Sequence, residues 1–254
     1  MKVVFLGVGE ACDERYPNVS IWLRNHAEGA DRSILLECGF TVPPLYWRHV
    51  TDPNELDAVW ISHFHGDHCF GVPAMLLRFW EMGRTRPLTV IGREGIESVI
   101  VSGMELAFPK FMSRFEYPLE FVEAAAGRDL HVVGHDWSFA ENGHGQPDLA
   151  VKITDGNSSL FYSGDGAATP ESLNLARGCG LVIHESYMLE EVTAGHATVR
   201  QNIEFAGKAG AGILALVHVK RDERRKRSEE ILQLAASVRD IRVSLPEPGD
   251  MVEL

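Results

Sequence analysis

The chain has 254 residues, 45% of them hydrophobic and 24% charged, the balance of an ordinary folded protein long enough for one large domain or two small ones. Its net charge of −12 argues against a surface built to grip nucleic-acid phosphates, and no run approaches the ~18 apolar residues that a membrane span needs. Four scattered cysteines, Cys12, Cys38, Cys69 and Cys179, have no CxxC spacing, so they give no sign of a cysteine zinc site or a disulfide framework and fit a reducing cytoplasm.

In chain order, short apolar runs with β-branched residues predict strands over 2–7, 19–24, 33–39, 56–62 and 88–92. The first run is broken by Gly7 and Gly9, which makes it a strand entering a turn rather than a signal peptide. Helical patterns fall at 72–82 and about 94–107. The segment 104–121, MELAFPKFMSRFEYPLEF, resolves into no single element; its aromatics suit core packing, or a lid or subunit contact. Further strands are expected at 130–134, 148–154, 159–164, 181–186, 213–219 and 241–245, with helices at 170–177, 198–209 and 228–239. Thr169 before Pro170, and Ser228 before EEILQLAASV, read as helix starts. The run KRDERRKR, 220–227, reads as a solvated loop and helix start, with substrate contact by Lys220 or Arg221 left open. Strands first dominate and then alternate with helices. That order predicts an α/β (α+β) sandwich of sheets covered by helices, in a single domain over 1–254.

Chemistry concentrates in SHFHGDH, where His63, His65, Asp67 and His68 fall within six residues on the loop leaving the strand 56–62. Strand-to-helix junctions are where such folds place ligand sites. His63 and His65 can point to one side of an extended loop, and Gly66 can turn the backbone so that Asp67 and His68 face another point. Imidazole with carboxylate is a set of metal donors. Three later residues also sit at strand ends: His144 in ENGHGQPD, Asp165 in FYSGDGAA and His218 in LALVHVK. A lone buried histidine is more often hydrogen-bonded core than ligand, so His218 gains weight only from the company it keeps. His131 and His135 read as structural, and His26 and His49 as surface or core residues.

With these residues in order, the chain resembles the metallo-β-lactamase superfamily, whose H-x-H-x-D-H signature HFHGDH matches. The resemblance covers essentially the whole chain and implies an αββα four-layer sandwich, the metallo-β-lactamase fold, with the site at one edge of two facing sheets. It further implies that His63, His65 and His144 bind one divalent metal and Asp67, His68 and His218 a second. Asp165 would bridge both, with a metal-bridging hydroxide as nucleophile. Histidine and carboxylate donors suit zinc, and also manganese or iron. VIHESYM (182–188) and AGHATVRQNIEFAGKAG (194–210) resemble the H-E-A-T and H-S-T segments of the RNase Z branch, the tRNA 3′-end endonucleases. On that resemblance Glu185 orients His196, which protonates the departing oxygen, and Asp67 joins them in catalysis. His184 is expected to face away from the site. A homodimer is an expectation from the relatives.

The departures from that branch bear on substrate. RNase Z enzymes place a basic tRNA-holding arm between the third histidine motif and the bridging aspartate, and the short interval from His144 to Asp165 leaves no room for one. The expectation is therefore a dinuclear metal-dependent hydrolase, foremost a phosphodiesterase with a small or nucleotide-like substrate. The alternatives are tRNA 3′-end processing on structured RNA, hydrolysis of another ester, lactone or thioester, and a metal-binding scaffold without turnover.

Overall fold

The computed structural model describes residues 1–254. The first half of the chain forms β1 (Lys2–Gly7), β2 (Ser20–Ala27), β3 (Ala30–Leu36), α1 (Pro43–His49), β4 (Ala58–Ile61), α2 (Gly66–Cys69), α3 (Val72–Glu81), β5 (Leu88–Arg93), α4 (Ile96–Ala107) and β6 (Leu119–Ala124). The second half forms β7 (Leu130–Val132), β8 (His135–Asn142), β9 (Asp148–Thr154), β10 (Ser159–Tyr162), α5 (Pro170–Ala176), β11 (Leu181–Glu185), α6 (Val199–Ala209), β12 (Ile213–Val217), α7 (Arg221–Ser237), β13 (Arg242–Ser244) and β14 (Met251–Glu253). One sheet has the order β14-β1-β2-β3-β4-β5-β6 and the other β13-β12-β11-β10-β9-β8-β7, so only β14 crosses from one half of the chain to the other half's sheet.

Strand alternation produces the layers. Successive side chains on a strand point to opposite faces, and here both faces are buried. Val3 and Phe5 of β1, Ile34 and Leu36 of β3 and Trp60 of β4 meet Trp137 and Phe139 of β8 and Ile183 of β11 between the sheets. Trp60 stacks on Phe139 with ring centroids 5.1 Å apart. The intervening residues, Val4, Leu6, Leu35 and Val59, pack outward against Tyr46 of α1, Leu76 of α3 and Ile100 of α4. On the far side Phe161, Val182 and Leu214 pack against Val199, Phe205 and Ile231 of the other helices. This is the αββα sandwich expected from the sequence.

Several expectations need correction. Residues 221–227 are helical: α7 begins at Arg221 and kinks at Arg227 (φ −126°, ψ 15°), so Ser228 lies inside a helix instead of capping one. Polar residues carry its first turns, through the pairs Arg225–Asp222, Arg227–Glu223 and Arg227–Glu230 and a buried Arg224. Charge pairs at helical spacing replace the apolar period that sequence reading looks for. Strands β6 and β8 and the short helices α1 and α2 also escaped prediction. Thr169 does cap α5, in a reciprocal box with Ser172. The aromatics of 104–121 are core packing: Tyr117 is buried with its hydroxyl donating to the Leu76 carbonyl (3.1 Å), and Phe108, Phe111, Phe115 and Phe121 lean on the same core.

Candidate metal centre

The predicted metal-type donors all sit at one edge of the sandwich, on segments that leave its strands. His63, His65, Asp67 and His68 follow β4, His144 lies between β8 and β9, Asp165 follows β10 and His218 follows β12. Gly66 does not supply a left-handed turn; it opens the one-turn helix α2, which carries Asp67 and His68 away from the extended His63–His65 backbone. A tighter demand falls on Gly39, where a Cβ would lie 1.8 Å from the Asp67 carbonyl oxygen and displace that turn. His218 has a left-handed backbone (φ 53°), a conformation costly for a residue with a Cβ and concentrated at functional sites. It is held there by a hydrogen bond from its N–H to the Val8 carbonyl (2.9 Å).

The donors fall into two sets that share Asp165. In the first, His63 Nε2 and His144 Nε2 lie 3.0 and 3.3 Å from His65 Nδ1. In the second, His68 Nε2 and His218 Nε2 lie 3.3 and 3.5 Å from Asp67 Oδ2, and 3.5 and 3.4 Å from Asp165 Oδ2. A tetrahedral ion with bonds of about 2.0–2.1 Å spaces its ligands about 3.4 Å apart, so the separations are those of ligands around a centre. Groupings of His63, His65, His144 and Asp165, and of Asp67, His68, Asp165 and His218, each bring one ligand atom per residue within 4.8 Å. Orphaned atoms agree: His68 Nε2 and Asp165 Oδ1 are buried without a hydrogen-bond partner. The residues present therefore fit two divalent cations.

The far ring nitrogens of His63 and His144 are held by groups that the sequence did not reveal, and that of His68 faces a buried carboxylate without a hydrogen bond to it. His63 Nδ1 lies 2.9 Å from Ser62 Oγ and 3.1 Å from Asp148 Oδ1, His144 Nδ1 donates to the Gly195 carbonyl (2.9 Å), and His68 Nδ1 lies 3.6 Å from Glu37 Oε2. Such outer contacts fix tautomer and ring orientation. Burial pushes the His63 imidazole down to about 2, keeping a neutral lone pair for a metal. Burial also works on Asp165, but the facing His218 and His68 outweigh it and hold the carboxyl well below its ordinary range. Burial raises Glu37 and, far more, Asp148. Glu37 and Asp148 carry no local pattern that marks them; their partners lie far along the chain.

Glu185 and His196 stand beside the second set, grouped with His218. The Glu185 carboxylate is fully buried and accepts backbone N–H groups from Gly166 (3.0 Å), Tyr187 (3.0 Å) and Ala197 (2.8 Å). His196 Nδ1 lies 3.3 Å from Glu185 Oε1, in ion-pair contact but off the hydrogen-bond direction. The Tyr187 ring stacks on the His196 ring at 4.4 Å and 19°. His184 faces away, its ring between Phe161 and Phe205 on the helical side of its sheet. Lys220 makes no ion pair and sits over the Tyr187 ring at 5.7 Å, whereas Arg221 is committed to Glu10. His135 is buried and bonded to Val133 and Asn25, and His131 is exposed between Glu28 and Asp136, both apart from the site.

The sequence model of the family described as "Anti-Pycsar protein Apyc1" matches residues 1–236. Ribonuclease BN of Escherichia coli O139:H28 is 26% identical over 294 aligned positions, covering 94% of this chain and 95% of the relative. The alignment is longer than the chain, so the relative carries segments that are missing here. Among solved structures, the metallo-β-lactamase fold protein YhfI from Bacillus subtilis has a TM-score of 0.80 at 20% identity, covering 99% of this chain and 98% of its own. Human tRNase Z, short form, has a TM-score of 0.77 at 20% identity and covers 100% and 99%. The fold is that of the metallo-β-lactamases.

Proposed function

We propose, on the premise that the chain belongs to the Anti-Pycsar protein Apyc1 family, that it is a dinuclear metal-dependent phosphodiesterase acting on a small or nucleotide-like substrate. One observation carries the reading: two sets of metal-type donors share Asp165, and a third grouping beside them adds Glu185 and His196. The ions, zinc by preference with manganese or iron also suited, supply when bound a water acidified towards neutral pH and positive charge against the phosphate. His63, His65 and His144 would hold one, Asp67, His68 and His218 the other, with Asp165 common to both.

The chain's own residues account for the rest. His196 gives a proton to the departing ester oxygen, work that contributes roughly 10²–10⁴-fold where a positioned acid is used. Glu185, pinned by three backbone N–H groups, sets the position of that ring, and Tyr187 fixes its plane by stacking. His65 is exposed while His63 and His68 are buried, so substrate reaches the pair of sets from the His65 side. The four cysteines are all unpaired, in keeping with a reducing cytoplasm.

A second reading, tRNA 3′-end processing, draws support from the likeness to Ribonuclease BN and human tRNase Z. Against it, β9 and β10 form a tight hairpin that fills most of the interval from His144 to Asp165, and the net charge is −12. The deciding experiment gives metal-loaded protein bis(p-nitrophenyl) phosphate, a carboxyl ester, a lactone and a tRNA precursor. Turnover of the phosphodiester is expected. Cleavage of ester or lactone with the phosphodiester untouched would overturn the proposal, and cleavage confined to the precursor would favour the second reading.

A further inference from the structure

The rim of the site beside the first set of donors carries two side chains that the proposed chemistry leaves unused. Arg93 ends β5, and the parallel register sets Gly92 beside Ile61, so Arg93 stands level with Ser62, whose hydroxyl bonds His63 (2.9 Å). Ile91 faces the opposite sheet, so Arg93, two residues on, turns towards the same seam. Its guanidinium lies over the Phe64 ring, 4.9 Å from the centre, which holds it beside the HFHGDH loop. From the opposite sheet Gln146 reaches the same residue, its Oε1 accepting the Phe64 N–H (3.4 Å).

Neither group is spent. Arg93 makes no hydrogen bond or ion pair, and Gln146 Nε2, the donor left over once Oε1 accepts, has no protein partner. Both side chains are half-buried with their free nitrogens open to solvent, so a ligand at the rim reaches them. No carboxylate answers the guanidinium from the wall. Glu94 is exposed and unbonded to it. Glu123 of β6 alternates with the seam-facing Val122 and Ala124, so it points to the helical face, where its Oε1 accepts the Gly95 N–H (2.9 Å). His65, on this same side, is the exposed donor of the first set.

A guanidinium is a planar fork matched to phosphate oxygens, and with the amide beside it the rim offers donors and no acceptor. We propose that Arg93 and Gln146 anchor a second phosphate of the substrate, one that lies along the molecule from the phosphodiester held at the two sets of donors. The inference rests on the phosphodiesterase reading and narrows its substrate to a nucleotide-like diester that bears a further phosphate. Two sources share that chemistry, a terminal phosphomonoester and the next diester of a short single strand.

The test is calorimetric titration of the metal-loaded protein with a dithymidine whose scissile diester is replaced by a methylphosphonate, so that binding is read without turnover. The ligand is used bare, with a 5′- or a 3′-phosphate, and as a trinucleotide that continues through one ordinary diester. A phosphate-bearing form should bind roughly tenfold tighter than the bare one, the scale of one charge-assisted contact. A gain confined to the phosphorylated dinucleotides assigns the terminal phosphate, and a gain in the trinucleotide assigns the continuing strand; either supports the anchor. Arg93→Met keeps the stem over Phe64 and removes the charge, so it should erase the gain while the metal content per chain stays at the parent value, and Arg93→Lys should recover part of it. Gln146→Glu keeps the oxygen that accepts from Phe64 and replaces the donor by an acceptor, so the gain should shrink there too. A gain that survives in Arg93→Met, as it would if the added phosphate sat on the metal ions, or no gain for any form in the parent, would overturn the anchor. Turnover of bis(p-nitrophenyl) phosphate by the parent, measured alongside, reports on the phosphodiesterase reading by itself.

Discussion

Two of the histidines of the candidate metal centre lean on a second group through the ring nitrogen that faces away from it, His63 on Ser62 and Asp148 and His144 on the Gly195 carbonyl, while His68 faces the Glu37 carboxylate at 3.6 Å. Removing such a support costs about 10–100-fold in metal affinity or activity. Asp148→Ala should therefore lower metal affinity by about that factor, read by competition with a chromophoric chelator. His196→Ala should cut phosphodiester turnover by roughly 10²–10⁴ while the metal content per chain stays at the parent value; unchanged turnover would remove its role as acid. At this scale the sequence picked out the clustered side chains themselves, because HFHGDH is local and needs no partner to be recognised. It was silent on Glu37 and Asp148. An acidic residue in a strand-end tripeptide such as LEC or PDL looks like any surface carboxylate until the fold closes over it.

Elements were legible where an apolar period set them and obscure where polar pairs did. Strand β1 shows its two buried faces in KVVFLG, whereas α7 begins on arginines and acids that satisfy one another. Strand β8 does alternate, with Trp137 and Phe139 facing the opposite sheet, but it follows β7 so closely that the sequence reads a strand only over 130–134. Helix α6 is the element closest to the chemistry. Thr198 caps it in a reciprocal box with Gln201, and His196 lies just before the cap. Thr198→Ala should cost about 1 kcal/mol in chemical unfolding, the usual worth of such a cap. It should also lower turnover, since the cap anchors the loop that carries His196, the acid proposed above, and Thr198→Ser should restore both. Normal turnover in a destabilised Thr198→Ala protein would show the cap to be structural alone.

For the molecule as a whole, stability should depend on pH through histidines that fold buried and neutral. Burial lowers His184, against the opposing pull of Glu185, and lowers His135. For these two groups the unfolded chain binds more protons than the folded one below the ordinary histidine value of about 6.5, so their contribution is flat above that pH and falls as the pH drops below it. Burial at His218 and His68 is outweighed by the carboxylates that face them, which raise both, and these two contribute with the opposite sign, a stabilisation that fades as the pH rises above about 6.5. Melting of chelated parent and His184→Gln protein from about pH 7.5 to 5 isolates one of these groups: the difference between the two should shrink as the pH drops below about 6.5, and an unchanged difference would remove His184 from the account. The two sheets share another dependence. His63, His65, Asp67 and His68 hang from the first sheet, while His144, Asp165 and His218 hang from the second. Ions held by both are rivets across the seam of the sandwich, and ligands that bind only the folded state stabilise it by mass action, by about 2.7 kcal/mol at a free concentration one hundred times the dissociation constant. Chelation should lower the melting temperature by several degrees, and Asp165→Ala, which loosens both rivets, should respond least to added metal. The melting temperature thus becomes a gauge of occupancy that needs no substrate, and ranking zinc, manganese and iron by the shift each produces would identify the preferred ion before any reaction is known.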